Sequence, residues 1–258
     1  MSIGNSTTSG LRLYWDASHH LYFQIPAGTF AGTTGLTVMP LATWACVEVR
    51  LKLHATDGIA EVRIDGSTEL YFTGKTDYIA TMDRVGFYSP LEDVSLDDIV
   101  INDKSGSSNT SWPNGQHVVY LPPTGDGTLK QWTPTPAGLT HYTAVDEVVK
   151  TTTDYLSSLD TSSQDFLSLA NLPAGATAVS SIQVICMPRK MSTTTSPSTL
   201  RLSTLSAGVT TWTDPKIIGL GCGFSDYTRA TWDANPNTGQ RWTVDEINGL
   251  QIGIKADS

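Results

Sequence analysis

From Trp44 onward the chain alternates apolar and polar positions with a period of two. Ala45, Val47, Val49, Leu51 and Leu53 fall on one side, and Trp44, Cys46, Glu48, Arg50 and Lys52 on the other, because successive strand side chains point to opposite faces. After turn-forming residues at 54–58 the pattern resumes, with Ala60, Val62 and Ile64 inward and Glu61, Arg63 and Asp65 outward. The alternation predicts an antiparallel hairpin with one core face and one solvated face. A register that sets Glu48 against Arg63 and Arg50 against Glu61 places opposite charges across from each other, worth about 0.2–1 kcal/mol per pair.

The same period recurs along the chain in short runs. LRLYW and LYFQI flank Asp16-Ala17-Ser18-His19 as a first hairpin, and ELYFTG, RVGFYS and LDDIVIND read as further strands. HVVYLPP, SSIQVICMP, TLRLSTL and KIIGLGCGF form a second set, with LPPTGDG and NLPAGATA as turn clusters between strands. Helix formers occur between Val145 and Leu169, yet the Thr and Ser content there predicts irregular chain with at most short helical turns. Near the end, Asn235-Pro236-Asn237-Thr238-Gly239 forms a turn. Thr243 and Glu246 have capping-box spacing, Gly249 stops the short helix, and LQIGIKA returns as a strand.

These elements predict an all-β protein of two antiparallel β-sandwiches in series. The segment DKSGSSNTSWPNGQ is polar apart from Trp112 and lacks the apolar content to pack as an element of its own. It places a first domain at 1–103, a linker at 104–117, and a second domain at 118–258 with a short helix near 243–248. No repeat of fixed period occurs, and 258 residues suffice for two cores.

Charge and composition narrow the function. The net charge is −9 and Arg189-Lys190 is the longest basic cluster, so the electrostatic footprint for binding phosphate backbones is missing and nucleic acid is not an expected partner. The polar start, MSIGNSTTSG, predicts no secretory leader, and no apolar run reaches the length of a membrane span. Cys46, Cys186 and Cys222 are too few and too dispersed for a disulfide framework or a zinc site, as expected of a chain made in the cytoplasm.

Candidate chemistry is sparse. A glycosidase needs two carboxylates flanking the scissile bond. Asp93, Asp97 and Asp98 are the nearest acids, but adjacent Asp97 and Asp98 would face opposite ways on a strand. Those acids with Asn102 and Asp103 supply oxygen ligands for calcium without the order of a known loop. The histidines His19, His20, His54, His117 and His141 read as turn and surface residues without metal-ligand spacing. No catalytic residue, metal or cofactor is therefore expected. Among the seven tryptophans and nine tyrosines, Trp44 is the best aromatic for a partner or a sugar. With Arg50, Glu61 and Arg63 it forms the candidate partner or glycan face.

GLRLYWDASHHLYF, TWACVEVRLKLHATDGIAEVRIDGSTELYFTG, VGFYSP and LDDIVIND together resemble the concanavalin A-like lectin/glucanase (laminin-G-like) domain of bacteriophage virion proteins. The later LPPTGDGTLKQWTPTPAG, HYTAVDE, TTDYLSS and NPNTGQRWTVDEINGLQIGI resemble the segment that follows that domain in phage and prophage proteins. The glucanase signature Glu-x-Asp-x-x-Glu is missing. Family members carry several strands before the first hairpin, whereas this chain begins almost at it. The first domain is thus expected to be a shortened sandwich or one completed by a neighbouring chain. The resemblance implies a lectin-like sandwich followed by a jelly-roll-like one. It also implies a non-enzymatic virion structural protein on the tail or head surface, acting in assembly, decoration or adhesion. Its expected partners are copies of itself, a trimer by analogy, other virion proteins and host glycans. A carbohydrate-binding receptor-recognition module is the alternative, and a glycosidase the third reading.

Overall fold

A computed structural model describes residues 2–4, 9–16, 18–24, 35, 37–39, 42–79, 81–87, 95–105, 109–147, 152–190, 199–218 and 228–257. Asp93 and Cys222 lie outside them. The chain is mostly β, as its alternation predicts, and its strands pair antiparallel in several sheets. It divides into two units, Met1–Ser105 with Thr110–Val118, and Gly106–Asn109 with Val119–Ser258.

In the first unit the strands are β1 (Ser2–Gly4), β2 (Ser9–Trp15), β3 (Leu21–Gln24), β4 (Val47–Lys52), β5 (Gly58–Ile64), β6 (Ser67–Gly74) and β7 (Arg84–Gly86). One sheet has the order β3-β2-β1-β7 and the other β4-β5-β6. The first hairpin forms as expected: Asp16 Oδ1 accepts the N–H groups of Ser18 and His20, which tightens the turn and brings Trp15 opposite Leu21. The β4–β5 register is also the expected one, with Glu48 across from Arg63 and Arg50 from Glu61. Asp65 and Gly66 both take positive φ, the geometry of a two-residue hairpin turn, and lead into β6. Leu11, Leu13 and Leu21 from one sheet share a core with Ala60, Val62, Ile64 and Leu70 from the other.

LDDIVIND departs from expectation. Residues 95–103 are outside any strand, Asp98 takes a φ of 50°, and Leu96, Ile99, Val100 and Ile101 are exposed. A left-handed residue in mid-run interrupts the pleat that a ladder needs.

The second unit contains β8 (Pro123–Lys130), β9 (Thr133–Thr135), a 3-10 turn at Tyr142–Ala144, β10 (Tyr155–Ser157) and β11 (Gln164–Leu169). It continues with β12 (Ile182–Cys186), β13 (Thr199–Ser206), β14 (Val209–Trp212), β15 (Lys216–Ile217), β16 (Thr228–Trp232), α1 (Val244–Asn248) and β17 (Gln251–Asp257). The main sheet runs β14-β13-β17-β11-β8, with β15 also on β13; β12 pairs with β16, and β9 with β10.

Three expectations are corrected in this unit. LPPTGDG belongs largely to β8, whereas HVVYLPP lies outside any strand up to Pro122 and enters β8 only at Pro123. Gly127 sits in β8 because a Cβ there would lie 2.5 Å from the backbone of Phe166, so only glycine lets β8 approach β11. QDFLSL, read as irregular chain, is the inner strand β11, with Asp165, Phe166 and Leu167 buried. Burial against two neighbouring strands overrides its helix propensity.

Leu200 and Leu202 of β13 pack with Val184 of β12 and Ala230 of β16. Beside them Trp242, Ile247 and Leu250 form a second cluster, with Trp232 and Ile252 packed against both. The closing segment matches its sequence pattern. Thr243 and Glu246 make a full capping box on α1, and the chain returns as β17 after Gly249. Fully buried Asn235 donates from Nδ2 to Glu246 Oε1 at 2.8 Å and accepts the Asn237 N–H, tying the preceding turn to the cap.

Candidate functional site

The polar side of the β4–β5 hairpin is the face the sequence singles out, but it is not solvated as expected. Glu48 and Glu61 are buried, at 6% and 5% exposure. Glu61 is held by Arg63 Nε at 3.1 Å, by the Thr68 hydroxyl at 3.2 Å and by Arg50 Nη1 at 3.8 Å. Glu48 accepts the Asn114 N–H at 2.6 Å. The Trp112 ring lies 4.1 Å from the Arg63 guanidinium carbon, a cation–π contact worth about 0.5–2 kcal/mol depending on solvation. The supposed linker therefore acts in part as a strap: Thr110–Val118 belongs to the first unit, and Trp112 and Asn114 cover the charged hairpin.

Asp98 anchors the far end of the strap. Its Oδ1 accepts the Val118 N–H at 2.7 Å, and its Oδ2 lies 2.6 Å from His117 Nδ1. The Val118 N–H first, and then His117, hold this carboxyl below its ordinary range. Two of the other acids considered for calcium bond locally: Asp97 accepts the Asp98 N–H, and Asp103 accepts from Ser105. Among the described residues no three His, Cys, Asp or Glu side chains are grouped to hold a metal ion.

Of the four candidate residues, the structure gathers Arg50, Glu61 and Arg63 around one buried carboxylate. Trp44 lies outside the strand just before β4 and is 70% exposed. Glu48, Trp112 and Asn114 complete the arrangement. Trp112 was visible as the one large apolar residue of a polar segment, but nothing local tied it to Arg63, forty-nine positions earlier by residue number. Cys46 and Cys186 are free thiols, each raised by burial and so poorly ionised.

A second polar constellation lies in the other unit. Asp165 is fully buried on β11; its Oδ2 lies 2.7 Å from His141 Nδ1 and accepts the Trp132 N–H at 3.1 Å, while Oδ1 is buried without a partner. Desolvation raises this carboxyl, and His141 and the Trp132 N–H partly oppose the rise. Asp126 stands nearby, accepting the Tyr142 N–H at 2.9 Å with Lys130 Nζ at 3.5 Å. His141 is thus not the surface residue expected from sequence: its side chain is 14% exposed and pins the 3-10 turn to the sheet.

Comparison of the chain with family models, with curated proteins and with solved structures finds no match. Among the described residues no helix is long and apolar enough to cross a membrane.

Proposed function

We propose that this chain is a non-enzymatic structural protein of a bacteriophage particle, carried on the tail or head surface, which assembles with copies of itself. Its two units are β-sandwiches in series, the first lectin-like and the second jelly-roll-like. The shared core of the β3-β2-β1-β7 and β4-β5-β6 sheets supports the first, and the packing of β12 and β16 against β13 supports the second.

One observation carries the self-assembly reading. Leu96, Ile99, Val100 and Ile101 are exposed in a run outside any sheet, and Ile101 is 70% exposed. The contiguous β-branched side chains Ile99 to Ile101 in water are unfavourable and are the kind of apolar patch that a neighbouring chain covers. A second copy of this chain is the occupant we assign to it. Replacing both Ile99 and Ile101 by Lys lowers the solution mass toward that of a single chain, as read by light scattering. An unchanged oligomer refutes the use of this patch.

The exposed Trp44 favours one further reading, a receptor-recognition module that stacks the apolar face of a host sugar on the indole. Sugar-specific signal on a glycan array, lost in Trp44→Ala, supports it. A blank array removes it and leaves the assembly role.

A further inference from the structure

The chain holds two Asn-Gly pairs, Asn114-Gly115 and Asn248-Gly249, and the fold treats them in opposite ways. In an Asn-Gly pair the backbone nitrogen of glycine can reach the asparagine side-chain carbon with no Cβ in its path. At the C-terminus of α1 both reacting groups are held. Asn248 Oδ1 accepts the Leu172 N–H at 2.9 Å, and the Gly249 N–H donates to the Asp245 carbonyl at 3.1 Å. In the strap, Asn114 and Gly115 are exposed at positive φ of 57° and 67°, and open space surrounds the position of a Gly115 Cβ. There it is the main-chain N–H of Asn114 that is anchored, on Glu48, and the Gly115 N–H faces the Cys46 sulfur, a weak acceptor.

We propose that Asn114-Gly115 is a self-modifying joint that releases the strap from the charged hairpin face. The Gly115 nitrogen bonds to Cγ of Asn114 and the Cγ–Nδ2 bond breaks. The amide nitrogen leaves as ammonia with the Gly115 proton, and a five-membered succinimide remains. Water opens one of its two carbonyls to give aspartate or isoaspartate. The sequence is redox-neutral and consumes only water.

Isoaspartate inserts one carbon atom into the main chain between two fixed points, the Asn114 N–H on Glu48 at 2.6 Å and the Val118 N–H on Asp98 at 2.7 Å. The longer loop must shift, and either product adds a carboxylate beside buried Glu48. Both changes loosen Trp112 from Arg63 and open buried Glu48 and Glu61 and half-buried Arg63 to solvent. The inference is independent of the assembly reading.

The test is to age the full chain at mildly alkaline pH and physiological temperature. Isoaspartate is then located by enzymatic methyl labelling and peptide mapping. In the folded protein product forms at Asn114 at least about tenfold faster than at Asn248, the factor that about 1.4 kcal/mol of local opening imposes on the held site. In urea the two rates converge. Equal rates in the folded protein, or no product at Asn114, overturn the proposal. Hydrogen exchange reads the release: aged protein exchanges faster over 112–118 than fresh protein, and Asn114→Gln does not change with age. Asn114→Asp carries the charge without the added carbon and separates the two effects. Unchanged exchange in chain with proven isoaspartate at position 114 refutes strap release.

Discussion

His141→Ala tests the buried pair of the second unit. The Asp165 carboxylate has no solvent exposure, and its Oδ2 receives only His141 Nδ1 at 2.7 Å and the Trp132 N–H at 3.1 Å. Removing one member of a buried pair costs about 3–5 kcal/mol, because the other charge stays buried without its partner. Two features reduce that figure: the histidine is 14% exposed, and an abandoned carboxyl can take up a proton. The expected loss is then about 2–3 kcal/mol near neutral pH, equivalent to roughly 4–12 °C in Tm for a unit of this size. Urea unfolding followed by tryptophan fluorescence gives the free energy, with Trp132 as a reporter beside the pair. In an Asp165→Asn background the same substitution costs less, since no charge is stranded, and the double-mutant cycle returns a coupling of at least about 1 kcal/mol. A loss below about 0.5 kcal/mol, or an equal loss in both backgrounds, refutes the view that the pair fixes this turn to the sheet.

Three further outcomes follow from the same packing. Because burial raises the Asp165 carboxyl, the folded state binds its proton more tightly than the unfolded chain. The favourable contribution is full below the unfolded pKa and is lost as pH rises through the folded value. Relative to Asp165→Asn, the wild-type protein therefore loses stability between mild acid and the folded pKa, and melting curves across pH check the sign. Gly127→Ala, with its Cβ 2.5 Å from the Phe166 backbone, destabilises by about 3 kcal/mol in urea unfolding, and a neutral result contradicts the close approach of β8 to β11. Ala207, at a φ of 49° in the β13–β14 turn, pays a left-handed penalty that asparagine reduces. Ala207→Asn accordingly raises stability by about 0.5–1 kcal/mol in the same assay.

What the sequence disclosed was local. The Asp16 turn and the Thr243–Glu246 capping box each depend on residues within a few positions of one another, and the β4–β5 register on two runs joined by one short turn; all three appear in the structure. The misread strands depend on distant neighbours. Pro123 to Gly127 has turn composition, yet Phe166 demands a glycine at 127; QDFLSL contains helix formers, yet β8 and β17 flank it. The candidate face was legible only as far as Arg50, Glu61 and Arg63. Its cover comes from Trp112 and Asn114, and no periodicity in one segment encodes the burial another segment imposes.

Sedimentation equilibrium of the full chain over a wide concentration range tests self-assembly most directly. The account predicts a closed oligomer, a trimer by analogy with phage surface proteins, that persists on dilution. A single-chain mass at the highest concentration contradicts it.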